Sequence, residues 1–432
     1  MEKMIYGLED KPKMAERIVL GLQHIFAAFG GIIVVPIMIS SALGFDAAMS
    51  TALISASIFA AGVATIVQSR GVGPVGSRLP SIMGTDITYA APAIAVGARF
   101  GMGGILGAII AGGFIQALSS IFTKQIVRFF PKVVIGIVIS LIGLTLIANS
   151  VNWLGGGAAH PEFGNINGVY LGLFVLIFTL LLNYYGKGFL KTASILIGMT
   201  VGYLIAIPMG MVDFTPVAEA PIFAIPNGFT NGITFNIEAI LAFLPAFLVG
   251  TISIIGRVKA IEGVVGLEED TQRVRGAILA DGAVTLFGGL VGGLSSTVFA
   301  QNIGLLSITK VTSRHVTIMA GIILALLGLL PKFGAIIHAM PQQVLGGAGV
   351  MMFGMIAVAG INILKTVEFN NRNMLIIAIS IASGLGVAFR GDILSQFPSW
   401  VTMIFSSGIT TGTIIAIVLN LILREEKQQE KK

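Results

Sequence analysis

The feature that most constrains this chain is a succession of apolar runs, from Ile18 almost to its end, each close to the roughly 20 residues a helix needs to cross a bilayer. Hydrophobic residues fill 55% of the 432 positions and charged residues only 11%, where a soluble domain has about 25% charged. Mean hydropathy is +0.95. A soluble globular fold is excluded, and most of the mass belongs in lipid. With no Cys in the chain, a disulfide framework, a thiolate metal site and a cysteine nucleophile are all ruled out. The formal charge of +6 lies in short Lys/Arg clusters between apolar runs, as topology control requires. No nucleic-acid partner is expected.

The start, MEKMIYGLEDKPKMAER, is polar and mixed in charge. The run beginning near Ile18 is too long for a signal peptide and lacks a small-residue cleavage site, so it reads as a first spanning helix. Apolar segments fall at 17–41, 47–69, 79–98, 103–123, 128–150, 168–185, 191–211, 237–257, 273–293, 296–311, 315–337, 342–364, 373–389 and 400–423, fourteen in all. The third and tenth are short and interrupted by Gly and polar residues, and charge decides whether to count them. With a cytoplasmic N-terminus the inside connections carry Lys3, Lys11, Lys13 and Arg17; Arg70 and Arg78; Lys124 and Arg128; Lys187 and Lys191; Arg257, Lys259, Arg273 and Arg275; Lys310 and Arg314; Lys365 and Arg372; and the tail from Arg424. Outside connections hold only Arg99, Lys332 and Arg390. That positive-inside asymmetry places both termini in the cytoplasm of a multi-pass protein of the plasma (inner) membrane.

Pro131 to Gly136 (PKVVIG) matches Pro341 to Gly346 (PQQVLG), and each opens a long helix at the same ordinal place in two sets of seven. Seven is odd, so the second set enters the membrane from the opposite side. The fold expected is thus an all-α integral membrane protein of fourteen segments in two inverted seven-helix repeats. In transporters of that plan, substrate sits near the midplane where interrupted helices of the two copies meet.

The interrupted segments are Leu79-Pro-Ser-Ile-Met-Gly-Thr-Asp-Ile-Thr-Tyr-Ala-Ala-Pro92 and Ser295-Ser-Thr-Val-Phe-Ala-Gln-Asn-Ile-Gly-Leu-Leu-Ser-Ile-Thr-Lys310. Each begins with residues suited to extended backbone, Pro80 and Ser81 or Ser296 to Phe299, before a helix start. Short strands meeting in mid-membrane would satisfy each other's backbone groups, and two half-helix N-termini would aim N–H groups at one cavity. Gln301 and Asn302 open the second half-helix. Adjacent carboxamides suit a flat heterocycle with imide and carbonyl groups, or serve as polar glue between helices.

Gln301-Asn-Ile-Gly-Leu-Leu-Ser-Ile-Thr-Lys310 resembles the signature of the nucleobase-ascorbate transporters, the nucleobase:cation symporter-2 family of xanthine and uracil permeases: Gln or Glu, Asn, any, Gly, four of any kind, Thr, then Arg, Lys or Gly. Gly21-Leu-Gln-His24, Ala280-Asp-Gly282 and Pro341 to Met352 are similar to the same family, from about Glu16 to Leu423. The resemblance implies a proton-coupled permease for a nucleobase, with sodium the less expected ion. Its core would be residues 1–123 and 237–340. Residues 124–236 and 341–424 would form a gate that also makes a homodimer, leaving 425–432 as a tail. Gln at the first signature position resembles the xanthine and urate branch, whereas uracil carriers tend to have Glu. Carried over, Gln301 contacts the purine, Asn302 supports the site, Asp281 couples the proton, and His24 lies near the site. Thr85, Asp86, Ile87, Ala300 and Gly304 complete the candidate lining.

Independently of the family, an acid such as Asp281 inside an apolar run costs about 2.5–3.5 kcal/mol on insertion scales and is expected to face the bundle. His160, His315 and His338 fall in loops or at helix ends and are read as incidental.

The eighth segment departs from the family, whose members carry Glu in a Glu-x-x-Gly-Asp-like run there. Here Thr251-Ile-Ser-Ile-Ile-Gly-Arg-Val-Lys-Ala260 puts Ser253 in place of the Glu and Arg257 in place of the following Asp. Losing a charge-assisted bond is worth roughly 1.5–3 kcal/mol, about tenfold to a hundredfold in affinity. Asp86, where an uncharged residue is usual, is expected to supply the missing carboxylate, to substrate or in an ion pair with Arg257; the alternative is a helix cap.

The function expected is import of a purine such as xanthine or urate by proton symport, with alternating access between core and gate. One proton moving through 100 mV releases about 2.3 kcal/mol, enough for roughly fiftyfold accumulation of an uncharged substrate. The alternatives are a uracil permease, a non-transporting nucleobase sensor, and a small-anion carrier using Arg257. No P-loop, His-Glu-x-x-His or Gly-x-Ser-x-Gly pattern is present, so neither an ATP-driven pump nor an intramembrane enzyme is expected. No cofactor or metal is called for.

Overall fold

A computed structural model describes residues 4–123, 125, 131–157, 163–398, 401, 402, 405 and 407–423. Lys3, Lys124, Arg128, His160, Arg424 and the tail 425–432 lie outside the described residues.

The main elements are α1 (Met14–Leu43), α2 (Ala47–Arg70), β1 (Met83–Thr85), α3 (Ala90–Ser119), α4 (Lys132–Leu154), α5 (Ile166–Tyr185), α6 (Ser194–Ala206), α7 (Ile237–Val265), α8 (Thr271–Leu290), β2 (Ser296–Val298), α9 (Ala300–Thr309), α10 (Arg314–Gly328), α11 (Pro331–His338), α12 (Gln342–Leu364), α13 (Asn371–Phe389) and α14 (Gly408–Ile422). Among the described residues eight helices are long and apolar enough to cross a membrane, or nine if α10 and α11, bent by 83°, form one span. The chain is an integral membrane protein.

The difference from fourteen apolar segments has physical causes. Segments three and four are two helical stretches within α3, parted by a kink at Gly101, whose φ of 66° only glycine adopts freely, and counted together they make one span. Segment ten is a strand followed by a 10-residue helix. α6 and α14, at 13 and 15 residues, are short of a full crossing, and α8 carries Arg273, Arg275 and Asp281.

Packing divides the chain into two compact units, Met1–Thr123 with Asn149–Met352, and Lys124–Ala148 with Phe353–Lys432. The first takes in residues 149–236 together with the two stretches that the resemblance assigns to a core. Within it α2 packs along α10, and α3 along α8. Small residues let the backbones touch at both seams, Gly62 against Ala325 and Gly282 against Ala117. In the second unit α13 packs on α14. There Arg372 donates to Leu423 O (2.6 Å) and Asn420 O (2.7 Å), satisfying carbonyls that the end of α14 leaves open.

Helix starts follow their capping residues: the side chains of Asp46, Asn165, Asn236, Asp270, Ser313, Asn370 and Ser407 accept first-turn N–H groups. α9 is different. It follows Phe299, which supplies no side-chain cap.

Residues 5–10 lie along the turn that leaves α9. Ile5 N donates to Lys310 O (2.9 Å), Thr312 N to Tyr6 O (2.9 Å) and Arg314 N to Leu8 O (3.1 Å). The Arg314 guanidinium forks onto Glu9 Oε2 at 3.0 and 2.7 Å.

Candidate functional site

The two interrupted segments meet. β1 and β2 pair antiparallel in the register Met83↔Val298, Gly84↔Thr297, Thr85↔Ser296. The ladder is extended by Phe299 N donating to Ile82 O (2.8 Å) and Asp86 N to Ser295 O (3.0 Å). β1 starts two residues beyond Ser81, whose backbone is tied to α2 instead: Ser69 Oγ donates to Ser81 O (2.9 Å).

In such a ladder Met83 and Val298 turn their backbone groups outward, and as both residues are fully buried each group needs a partner. The Thr65 hydroxyl on α2 accepts from Met83 N (2.9 Å). On the other edge Arg257, from α7, sends Nη1 to Val298 O (2.5 Å) and to Thr297 Oγ1 (3.1 Å). At Gly84 an added Cβ would lie 2.6 Å from Phe299 Cζ, so glycine lets the ring that leads into α9 close over β1.

Each expected site residue has a definite place. Gln301, second in α9, is part-exposed, and Ala300 and Gly304 beside it are exposed, Gly304 facing open space. Asn302 is buried, and its Nδ2 stands 3.0 Å from His24 Nδ1 on α1. An amide nitrogen only donates, so the imidazole keeps its own proton on Nε2. The carboxamide oxygen of Asn302 has no partner. Ser253 is 8% exposed on α7, just over one turn from Arg257. Thr85 is buried with its hydroxyl donating to Ile32 O (2.8 Å) on α1, while Ile87 is part-exposed.

Asp86 Oδ1 accepts from Thr88 N (3.0 Å) and Thr88 Oγ1 (2.7 Å), capping the turn that leads into α3; its Oδ2 is buried without a partner. The expected ion pair between Asp86 and Arg257 is therefore not made. The carboxylate is committed to its own helix start, and the guanidinium to the open edge of β2.

Asp281, 1% exposed on α8, accepts from Gln116 Nε2 of α3 at 2.7 Å, and its Oδ1 has no partner. Asp86 and Arg257 are the charges that act on it. His315 and His338 stand at a helix start and a helix end.

Two participants escape a reading of the sequence. Gln116 is one; the only hint is a carboxamide inside an apolar run. Tyr89 is the other: buried, its ring 4.7 Å from that of Phe247 and its hydroxyl unpartnered. It stands beside Gly250 of α7, where a Cβ would lie 2.6 Å from the hydroxyl.

The site therefore joins buried acids and amides to part-exposed donors around one strand junction, an arrangement suited to holding a small polar guest. Residues 15–393 match the xanthine/uracil permease model, described as a permease family. The chain is 51% identical over 422 residues to the Clostridium perfringens protein CPE0397, covering 98% of this chain and 93% of that one. It is 39% identical over 419 residues to the uric acid permease PucJ of Bacillus subtilis, covering 95% and 93%. In fold it is similar to the transmembrane domain of a cyanobacterium bicarbonate transporter, BicA, with TM-score 0.66 and 15% identity over 95% of this chain and 99% of that one. The chain belongs to the xanthine/uracil permease family, the nucleobase:cation symporter-2 transporters, and is a permease rather than an enzyme.

Proposed function

We propose that the protein imports a purine nucleobase such as xanthine or urate across the plasma membrane by proton symport. The observation that supports this reading is the antiparallel meeting of β1 and β2, with Gln301 in the first turn of the helix that follows β2 and Arg257 of α7 bound to Val298 O on that strand. Gln301 and Ser253 hold the guest and Asn302, braced by His24, fixes the start of α9. Asp281 takes up the proton. The relationship to PucJ favours urate.

In the same reading the chain has fourteen segments in two inverted sets, both termini cytoplasmic, with a core and a gate that alternate access and a dimer made through the gate. Several correspondences support the inverted plan. The helix after β1 breaks at Gly101 (φ 66°) and the helix after β2 ends at Lys310 (φ 56°). The chain before α7 docks on the first break, Thr234 N to Gly103 O (3.1 Å), as the chain before α1 docks on the second, Ile5 N to Lys310 O (2.9 Å).

A second reading rests on Ser253 and Arg257, which replace the family's acids: a nucleobase sensor, or a carrier of small anions. Labelled urate, xanthine and uracil offered to proteoliposomes, with and without an inward proton gradient, separate these. Purine uptake that rises with the gradient supports symport. Binding without uptake supports a sensor, uracil uptake alone a uracil permease, and competition by bicarbonate or sulfate but not purines an anion carrier.

A further inference from the structure

The two helix starts at the strand junction are treated unequally. Asp86 caps the one leading into α3, and a carboxylate in that place offsets the positive end of its own helix. The start of α9 has neither a side-chain cap nor an acid in its first turn. Beside it stands Arg257, with Nη1 bound to Val298 O and Thr297 Oγ1, and with no ion pair to any described carboxylate. Its Nη2 and Nε carry no protein partner among the described residues, and it is part-exposed, next to Gly256, which faces open space.

The acids lie behind this surface. Asp86 is 4% and Asp281 1% exposed. The part-exposed polar groups, the Arg257 guanidinium and the Gln301 amide, donate or can donate, and neither is a carboxylate; Ser253 is buried close by on α7. A neutral oxopurine presents ring N–H groups that want an acceptor. Its monoanion has lost one of those protons, keeps the remaining N–H groups, and gains a negatively charged acceptor edge to which a guanidinium donates charge-assisted bonds.

We infer that this protein binds and carries its purine as the monoanion, with Arg257 as the residue that selects that charge form. The inference rests on the nucleobase-transport reading above and deepens it. The balance is simple: the guest brings one negative charge, and the coupled proton, bound as Asp281 passes from carboxylate to carboxylic acid, brings one positive. Asp86, Arg257, Gln116 and Tyr89, the polar and charged groups around Asp281 from α3, its leading turn and α7, keep their charges. The loaded core thus has the same net charge as the empty one, and the cycle moves no net charge.

The test uses the wild-type protein in proteoliposomes with labelled urate at a pH where urate is ionised. One arm imposes an inward proton gradient at zero membrane potential. The other imposes an inside-negative potassium diffusion potential with valinomycin at equal pH. The expected result is accumulation driven by the pH gradient and an initial rate unaffected by the potential. Uptake accelerated by the potential at equal pH overturns the inference while leaving purine symport standing; absence of purine uptake in both arms overturns the underlying reading as well. Arg257→Gln should raise the KM for urate about tenfold to a hundredfold, and Arg257→Lys, which keeps the charge, should recover most of it. An equal KM in the wild type and Arg257→Gln also overturns the inference.

Discussion

Gln116 Nε2 on α3 donates to Asp281 Oδ2 on α8 across 2.7 Å, and among the described residues it is the sole protein donor to that carboxylate. The partners are 165 positions apart and sit on the two helices whose backbones touch at Gly282 and Ala117. A buried acid held from one side only suits the proton uptake proposed for Asp281, since protonation there would disturb a single hydrogen bond.

Removing the donor isolates the acid. Gln116→Leu should lower stability by about 1.5–3 kcal/mol, the range for a hydrogen bond to a charged group. Asp281→Asn in the same background should return part of that loss, because the stranded charge is gone. Thermal unfolding of the single and double variants in detergent measures the coupling, and strictly additive losses would show that the contact carries none.

The cap at Asp86 separates two roles for that residue. Asp86→Asn retains an oxygen for Thr88 and removes the charge, and should leave urate uptake within about threefold of wild type, less than the tenfold of a lost charge-assisted bond. Asp86→Ala removes the cap and should cost about 0.5–2 kcal/mol. Abolished uptake in a well-assembled Asp86→Asn protein would return the carboxylate to substrate contact.

The strand register can be trapped chemically, since the chain has no Cys of its own. Thr85 and Ser296 are direct partners in an outward-turned pair, where Cα atoms approach to about 4.5 Å, within disulfide reach. Thr85→Cys with Ser296→Cys should form an intramolecular bridge on oxidation, read by mass spectrometry. Thr85→Cys with Val298→Cys, two residues out of register, should not.

Residues 5–10 hold the turn beyond α9 through Thr312 N and Arg314 N. Deleting residues 1–12 should raise deuterium uptake at 312–314 while α2 stays protected. Unchanged exchange there would mean the segment does not brace the half-helix.

Much of this was readable in the residues, and the misses are instructive. The apolar runs and the Gln301 signature pointed to the right family, and the Pro and Ser clusters to two extended stretches, because backbone at membrane depth has few ways to be satisfied. The Asp86–Arg257 pairing failed because opposite charges were matched without regard to nearer partners: a hydroxyl two residues on for the acid, a strand carbonyl for the base. Gln116 was invisible as a functional group because only the packing of α3 on α8 brings it to Asp281. The parting of segments three and four, by contrast, falls at Gly101, between the apolar runs 79–98 and 103–123.

The central claim is that the junction of β1 and β2 presents Gln301 to a planar purine. Equilibrium binding of labelled urate to purified wild-type and Gln301→Ala protein tests it most directly. Saturable binding to the wild type, displaced by xanthine and weakened at least about tenfold in the variant, a loss of about 1.4 kcal/mol, is the result predicted. Equal affinity in the two proteins would contradict it.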